Sequence, residues 1–415
     1  MQCKSTAGIQ SKSAGLPTFR ITHYEFRIPN SAFRIPHSVF CIVLLLFPKV
    51  QKTNISKGAL IMKDKIKVAI IGCGNIANSA HIPTYVARED AEIAYFCDII
   101  PERADAAVKK YGCGKAVYDY HEILDADIDA VSVCTHNDDH SKVSIDFMLH
   151  GKDVLCEKPA ARILPEALEM ERVSYETGRL LSIGVCNRYA NSVNRIKEMI
   201  ADGKLGEVYH VYASFRAHRS IPGLGGGFTT KAVSGGGSLI DWGVHYLDLI
   251  MYCLNDPKVL SCDGEAFCKL GKDMKNYITT SMWAKDSSDI EHGTYDVDDS
   301  VVGLVRTDGA VISFNGAWAQ NIGINEQFID FMGTKGGIRL KYCGNFTYYT
   351  AENGALYEVQ PTYEMNDMHR DEVIDFIEAV REGRRTRNDI KYAVGTSRIM
   401  QAIYDSSDKH AESVV

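Results

Sequence analysis

The sequence predicts a two-part α/β protein. A doubly wound parallel sheet comes first, followed by an α+β part built on a large, mostly antiparallel open sheet. Three observations carry this. Between residues 67 and 157, short apolar runs alternate with helical stretches, as when strands are joined by crossover helices. Beyond residue 207, runs with period-two alternation dominate. With 415 residues the chain is long enough for two cores.

Residues 67–71 (Lys-Val-Ala-Ile-Ile) form the first buried strand and run into Gly72-Cys73-Gly74-Asn75-Ile76-Ala77. This is G-x-G-x-x-A opening a helix. Gly72 permits the tight turn, Gly74 lets the backbone approach a pyrophosphate, and Ala77 keeps helix and strand close. The helix N-terminus, with Asn75 and Ile76, offers amides and a positive dipole end to phosphates. A second strand, 92–97, ends in Asp98, 24 residues after Gly74. That carboxylate is placed to accept from ribose hydroxyls and to repel a 2′-phosphate, which favours NAD over NADP. It also suits a helix cap before Pro101, and the two roles are compatible.

The alternation continues with a helix over 103–111, a short strand at 117–118, a helix starting at 121–124 and a fourth strand at 130–134. Thr135, Asn137 and His140 then lie at a strand's carboxyl end, where such sheets bind ligands. A helix over 141–150 leads to the strand 153–156, which delivers Glu157 and Lys158 to the same rim. Pro159 biases Lys158 towards extended backbone.

In the second part, strands are expected at 207–216 (Tyr209, Val211, Ala213 and Phe215 on one face), 300–305, 310–318, 327–332 and 346–350, with helices over 373–380 and 392–404. The glycine run 235–237 opens a helix on which Asp241 and His245, four apart, share a face; Asp248 comes three residues later. Arg216 and His218 precede the loop Gly223-Leu224-Gly225-Gly226-Gly227, which suits either substrate contact or a solvated turn. Tyr209, Trp318 and Tyr363 are core residues by default, with sugar stacking as the alternative.

These residues resemble the Gfo/Idh/MocA oxidoreductase family. The matches are Gly72-x-Gly74-Asn75-Ile76-Ala77, Asp98, Thr135-x-Asn137-x-x-His140, the run 151–159 ending in Glu157-Lys158-Pro159, and the run 235–245 with Asp241 and His245. They cover the chain from about Met62 onward. The resemblance implies NAD-dependent hydride transfer at a carbinol carbon of a sugar, cyclitol or glycoside, with the 3-hydroxyl of a glucoside as the narrower candidate. It gives Lys158, Asp241 and His245 the catalytic and substrate-binding roles. His245 is the first choice of base, since an imidazole titrates near neutrality, and Lys158 stabilises the developing oxyanion; the two roles are exchangeable at this level. The resemblance also places Arg188 near the nicotinamide ribose and makes the open sheet face a subunit interface, hence a homodimer or homotetramer. Two other classes compete. One is a glycosidase that holds NAD tightly and uses redox only transiently. The other is a non-catalytic dinucleotide-binding regulator, which would not need Lys158, Asp241 and His245 together.

The expected division is therefore a leader over 1–61, a dinucleotide-binding part over 62–184 and a substrate and oligomerisation part over 185–415. The leader holds eight Lys or Arg and one acid (Glu25), against a whole-chain charge of −7. It repeats Phe-Arg-Ile every seven residues, at Phe19, Phe26 and Phe33. Prolines in the repeat exclude a coiled coil, and it reads as translated intergenic repeat ahead of a start at Met62. The apolar run 40–47 is too short to span a bilayer. The acidic balance gives no general case for nucleic-acid binding. The twelve cysteines include no C-x-x-C pair and no zinc-ligand spacing, so reduced thiols in a cytoplasmic protein without a metal are expected.

Overall fold

The computed structural model describes residues 65–415. The expectations for 1–61 and for a start at Met62 lie outside the described residues.

The first sheet has six parallel strands: β1 Ile66–Ile71, β2 Ala91–Cys97, β3 Lys115–Val117, β4 Ala130–Val133, β5 Asp153–Glu157 and β6 Leu181–Gly184. Their order is β3-β2-β1-β4-β5-β6. Every residue of β4 and β6 is buried, as expected of strands covered on both faces. The order reverses between β1 and β4, so the glycine loop after β1 and the Thr135–Asn137 turn after β4 flank the crevice there. The helices are α1 Ile82–Val86, α2 Pro101–Tyr111, α3 Asn137–Leu149 and α4 Leu164–Thr177. Helix α2 shows why they form where they do. Pro101 opens it, Glu102 faces its positive end, Lys109 and Lys110 face its negative end, and Gly112 closes it at φ 67°.

One expected helix is corrected. Residues 121–124 contribute only to a single tight turn, Tyr120–Ile123, capped by the Asp119 carboxylate accepting from the His121 amide. Asp125, Asp127 and Asp129 come next, and this run of poor helix formers stops propagation.

The second sheet has nine strands: β7 Val208–His218, β8 Val259–Phe267, β9 Ser300–Thr307, β10 Val311–Gln320, β11 Glu326–Gly333, β12 Gly336–Lys341, β13 Phe346–Glu352, β14 Ala355–Val359 and β15 Ser413–Val414. Their order is β14-β13-β12-β11-β7-β10-β9-β8-β15, and among the described residues only the β7–β10 pair is parallel. Helices α5 Asn191–Ala201, α7 Val244–Cys253 and α9 Ile390–Lys409, numbered around the short α6 Lys231–Ser234, cover one face. Val211, Ala213 and Phe215 of β7 pack into that core. Tyr209, expected beside them, is exposed at the strand's start. Helix α8 Met368–Glu382 returns to the first sheet, where Val373, Phe376 and Ile377 pack against Ile66, Val68 and Ile70. Among the described residues no helix is long and apolar enough to cross a membrane.

Candidate active site

The glycine loop is rigid on one side and open on the other. Gly72 adopts φ 91°, and a Cβ there would stand 2.6 Å from the Cys134 carbonyl oxygen. At Gly74 nothing lies within 4 Å of a would-be Cβ, so the backbone is bare towards the crevice. The Asp98 carboxylate accepts from the Cys73 amide at 2.8 Å and from the Ile100 amide at 2.9 Å, bracing the loop against the end of β2. The first-turn amides at Asn75 and Ile76 have no intrahelical acceptor. A bare glycine, free amides and a positive helix end together fit a dinucleotide pyrophosphate.

The helix then widens over Ala77–His81 and delivers His81 to the end of β5. His81 Nε2 lies 2.9 Å from Glu157 Oε1, and its Nδ1 lies 3.2 Å from Ser132 Oγ, which is 2.8 Å from the Tyr85 hydroxyl. Burial opposes ionisation of Glu157, but His81 and the Lys158 ammonium outweigh it and hold the carboxyl down at about 2. Glu157 therefore stays anionic at the strand end.

Lys158 points across to the second part of the chain. Its Nζ donates to Asp241 Oδ1 at 2.9 Å and to the Asp241 carbonyl at 3.2 Å. Asp241 Oδ2 accepts from the Trp318 indole at 3.1 Å. Burial would strip the proton from Lys158, but the Asp241 carboxylate prevails and raises its pKa above the ordinary lysine range. An ammonium has three donors, and Asp241 supplies acceptors for two. His245 takes the opposite course. Burial, and then the Lys158 cation, push its pKa well below 6.5, so it is a neutral imidazole at physiological pH.

The local fold explains this placement. Gly235 turns the chain at φ 84°, and a Cβ at Gly237 would meet the Asp298 carbonyl at 1.8 Å. Asp298 anchors the start of the helix, accepting from the Gly237 amide (2.7 Å), the Ser238 hydroxyl (2.8 Å), the Leu239 amide (3.0 Å) and the Tyr404 hydroxyl (2.7 Å). A widened turn, Leu239–Gly243, leads into α7. Asp241 and His245 have different hydrogen-bond partners. Asp241 bonds Lys158 and Trp318, while His245 Nδ1 lies 3.4 Å from the Asn187 amide nitrogen.

Several expected residues serve other ends. Arg188, expected near the nicotinamide ribose, is fully buried; it makes two 2.8 Å bonds to Asp248 and lies between the Tyr252 and Tyr392 rings. Its spacing from β6 matched a ligand position, but its carboxylate partner on α7 draws it into the core. Arg216 pairs with Glu326, and His218 Nδ1 lies 3.2 Å from the Gln320 carbonyl. Period-two alternation puts both on the face of β7 opposite Phe215, away from α7. His140 is buried between the Pro159 carbonyl (2.7 Å) and the Thr135 carbonyl (3.2 Å), and so clamps the β4 and β5 ends together. Asn137 donates to the Ser234 carbonyl at 2.9 Å and ties α3 to α6, while Thr135 stays beside Gly72 at the crevice. The loop 223–227 is packed rather than solvated: the Asp289 amide bonds the Leu224 carbonyl, and Gly227 lies against His136. Trp318 is core, as the default had it, yet its indole touches Asp241.

Sequence reasoning missed His81, Asn187, Asp298, Tyr342 and His369. His369 lies in the first turn of α8, and its Nε2 sits 3.3 Å from the buried Cys186 sulfur. These residues come from distant segments, and only the acid pair at Asp298-Asp299 gave a signal, a weak one.

The fold and site are those of a dinucleotide-dependent oxidoreductase. Residues 66–185 match the family model described as oxidoreductase family, NAD-binding Rossmann fold (GFO/IDH/MocA), and residues 193–339 match the GFO/IDH/MocA C-terminal domain. The chain is 34% identical over 297 residues to D-glucoside 3-dehydrogenase of Escherichia coli strain K12, covering 70% of this chain and 80% of that protein. Two solved structures share the fold, each covering 85% of this chain and 99% of the other at TM-score 0.74. One is an oxidoreductase domain protein from Kribbella flavida at 22% identity, the other levoglucosan dehydrogenase in complex with NADH and levoglucosan at 20%. The chain belongs to the GFO/IDH/MocA family of NAD-binding oxidoreductases and acts on CH–OH groups.

Proposed function

We propose that this protein oxidises a ring hydroxyl of a sugar or glycoside, with the 3-hydroxyl of a glucoside as the favoured substrate position. The observation that carries this is the 2.9 Å Lys158–Asp241 ion pair at the end of β5, close enough to His245 to act on it: Asp241 favours the charged ammonium, and burial and the Lys158 charge push the imidazole's pKa down. Similarity to a D-glucoside 3-dehydrogenase supports the substrate class.

Bound NAD would supply the hydride acceptor. Gly72, Gly74, Asn75 and Ile76 would hold its pyrophosphate, Asp98 its adenosine ribose through lone pairs left beyond its two amide bonds, and Thr135 and Glu157 its nicotinamide end. Lys158 points its remaining N–H at the reacting oxygen and stabilises charge developing there. His245 takes the hydroxyl proton as the C–H hydride departs. Asp241 keeps Lys158 charged and in place. A Lys158 held cationic by Asp241 supports electrostatic stabilisation by Lys158 and proton transfer to the imidazole. We also propose a domain division near 184/185 and a homodimer or homotetramer interface on the open sheet face, where Tyr212 and Phe328 form a tilted pair with ring centroids 5.8 Å apart. Ten free cysteines among the described residues suit a cytoplasmic location.

Incubating the enzyme with NAD or NADP and a panel of glucosides, free sugars and inositols tests the proposal. NADH formation with glucosides, and a keto sugar as product, is the expected result. Aglycone release without net NADH, or reduction of NADP alone, contradicts it.

A further inference from the structure

Residues 268–299 form a long excursion between β8 and β9, and it leaves the Trp283 ring 51% exposed, whereas Trp318 is fully buried. A lone exposed apolar side chain is ordinary on a protein surface; this one differs in how it is held and where it stands. The excursion is zipped to the loop 219–230. The Ala284 amide donates to the Pro222 carbonyl at 2.8 Å, and the Asp289 amide to the Leu224 carbonyl at 2.8 Å. A Cβ at Gly223 would stand 2.6 Å from the Ala284 carbonyl oxygen, so the two backbones lie in direct contact. Phe228, on the same loop, meets the Trp283 ring edge-on at an interplanar angle of 77°, with centroids 4.7 Å apart. The indole thus has a fixed backing and an aromatic neighbour that sets its angle, and half of its surface is left uncovered.

The loop that carries this pair touches the site at both ends. At one end, the Ser220 amide donates to the Trp318 carbonyl at 2.7 Å, and the Trp318 indole bonds Asp241, the partner of Lys158. Phe228 packs against the same apolar cluster as Trp318. At the other end, a Cβ at Gly227 would stand 2.9 Å from His136 Nδ1, and His136 sits between Thr135 and Asn137 at the crevice rim. In a glucoside oxidised at carbon 3, the aglycone hangs from carbon 1, two ring positions from the reacting centre. A pocket closed on carbon 3 leaves that group pointing outward, towards what lines the mouth. A half-exposed indole on a fixed backing offers a flat apolar surface at little ordering cost, which suits a flat apolar group. Free sugars and inositols carry no such group. We propose that Trp283, braced by Phe228, is a platform for the aglycone, and that the preferred substrates are glucosides with a planar, apolar aglycone such as an aryl group. This rests on the reading of the protein as a glucoside 3-dehydrogenase.

Calorimetric titration of the full-length enzyme loaded with NADH measures sugar binding without turnover. Phenyl glucoside should bind at least about fivefold more tightly than methyl glucoside of the same anomeric form, the size of one good aromatic contact. Trp283→Ala should erase that ratio, and Trp283→Phe, which keeps a ring, should retain most of it. With NAD in place of NADH, the same ratio should appear in KM and not in kcat. Equal affinity for the two glucosides in the wild type, a ratio that survives Trp283→Ala, or a Trp283→Ala variant that weakens both glucosides alike overturns the proposal. Phenyl glucoside bound through Trp283 without NADH formation from any glucoside overturns the functional reading instead and leaves the platform standing.

Discussion

Two of the cation–carboxylate pairs in this fold, Arg188–Asp248 and Lys158–Asp241, differ in how completely they are closed. Arg188 and Asp248 are each only 1% exposed, joined by two 2.8 Å bonds, with an aromatic ring on either side of the guanidinium. Lys158 and Asp241 are 20% and 11% exposed, joined through one carboxylate oxygen, with an ammonium donor to spare. Both would be singled out by residue type alone. The sealed pair has nothing left to offer a ligand. The open pair is charged and placed, with one donor unsatisfied at the rim of the crevice. Incomplete satisfaction, more than burial or charge, is what favours Lys158 and Asp241 as the pair used in the proposed chemistry.

The contrast breaks most readily at the sealed pair. Arg188→Ala leaves Asp248 buried without its cation, with only the Thr396 hydroxyl at 3.5 Å, and should cost about 3–5 kcal/mol of stability, measured as a fall in Tm or denaturation midpoint. NAD affinity of the folded fraction should be unchanged; a weakened NAD affinity instead would return Arg188 to the cofactor. At the open pair, Lys158→Ala and His245→Ala should bind NAD but lose at least about a hundredfold in turnover, the lower end of general acid–base effects. Near-normal turnover in both variants removes the catalytic assignment.

A pH profile sharpens the contrast further. His245 must be unprotonated to act, so oxidation should be active above its pKa. Because that pKa is depressed by burial and by Lys158, kcat/KM should stay flat through pH 6.5 and fall only well below it. An acid limb at or above 6.5 contradicts the neutral imidazole. The smallest effect is expected at Arg216. Its partly exposed pair with Glu326 contributes no more than about 1 kcal/mol, and Arg216→Ala should leave sugar KM unaltered. A large rise in KM would place this strand face in the substrate site after all.

Much of the framework was legible in the sequence because it rests on local periodicity. The glycine loop, the strand–helix alternation and the fold class come from patterns within a few residues. The site was legible in part. Lys158 bonds Asp241 and acts electrostatically on His245, but the partners of each, Trp318 for Asp241 and Asn187 for His245, come from distant segments. Arg188 misled because a motif position says nothing about what a helix 60 residues on presents to it. Asn187, Tyr342 and His369 were invisible for the same reason. Their roles exist only through contacts made across 58, 155 and 183 residues of chain.

The proposed chemistry turns on one event, the loss of a proton to His245 beside a fixed Lys158 cation as hydride leaves the sugar. Single-turnover mixing of the NAD-loaded enzyme with a glucoside deuterated at the 3-carbon observes it directly. Deuterium should appear in the NADH formed, and His245→Ala should slow its transfer by at least about a hundredfold with NAD binding intact. Deuterium retained in the sugar, or equal transfer rates in both enzymes, would contradict it.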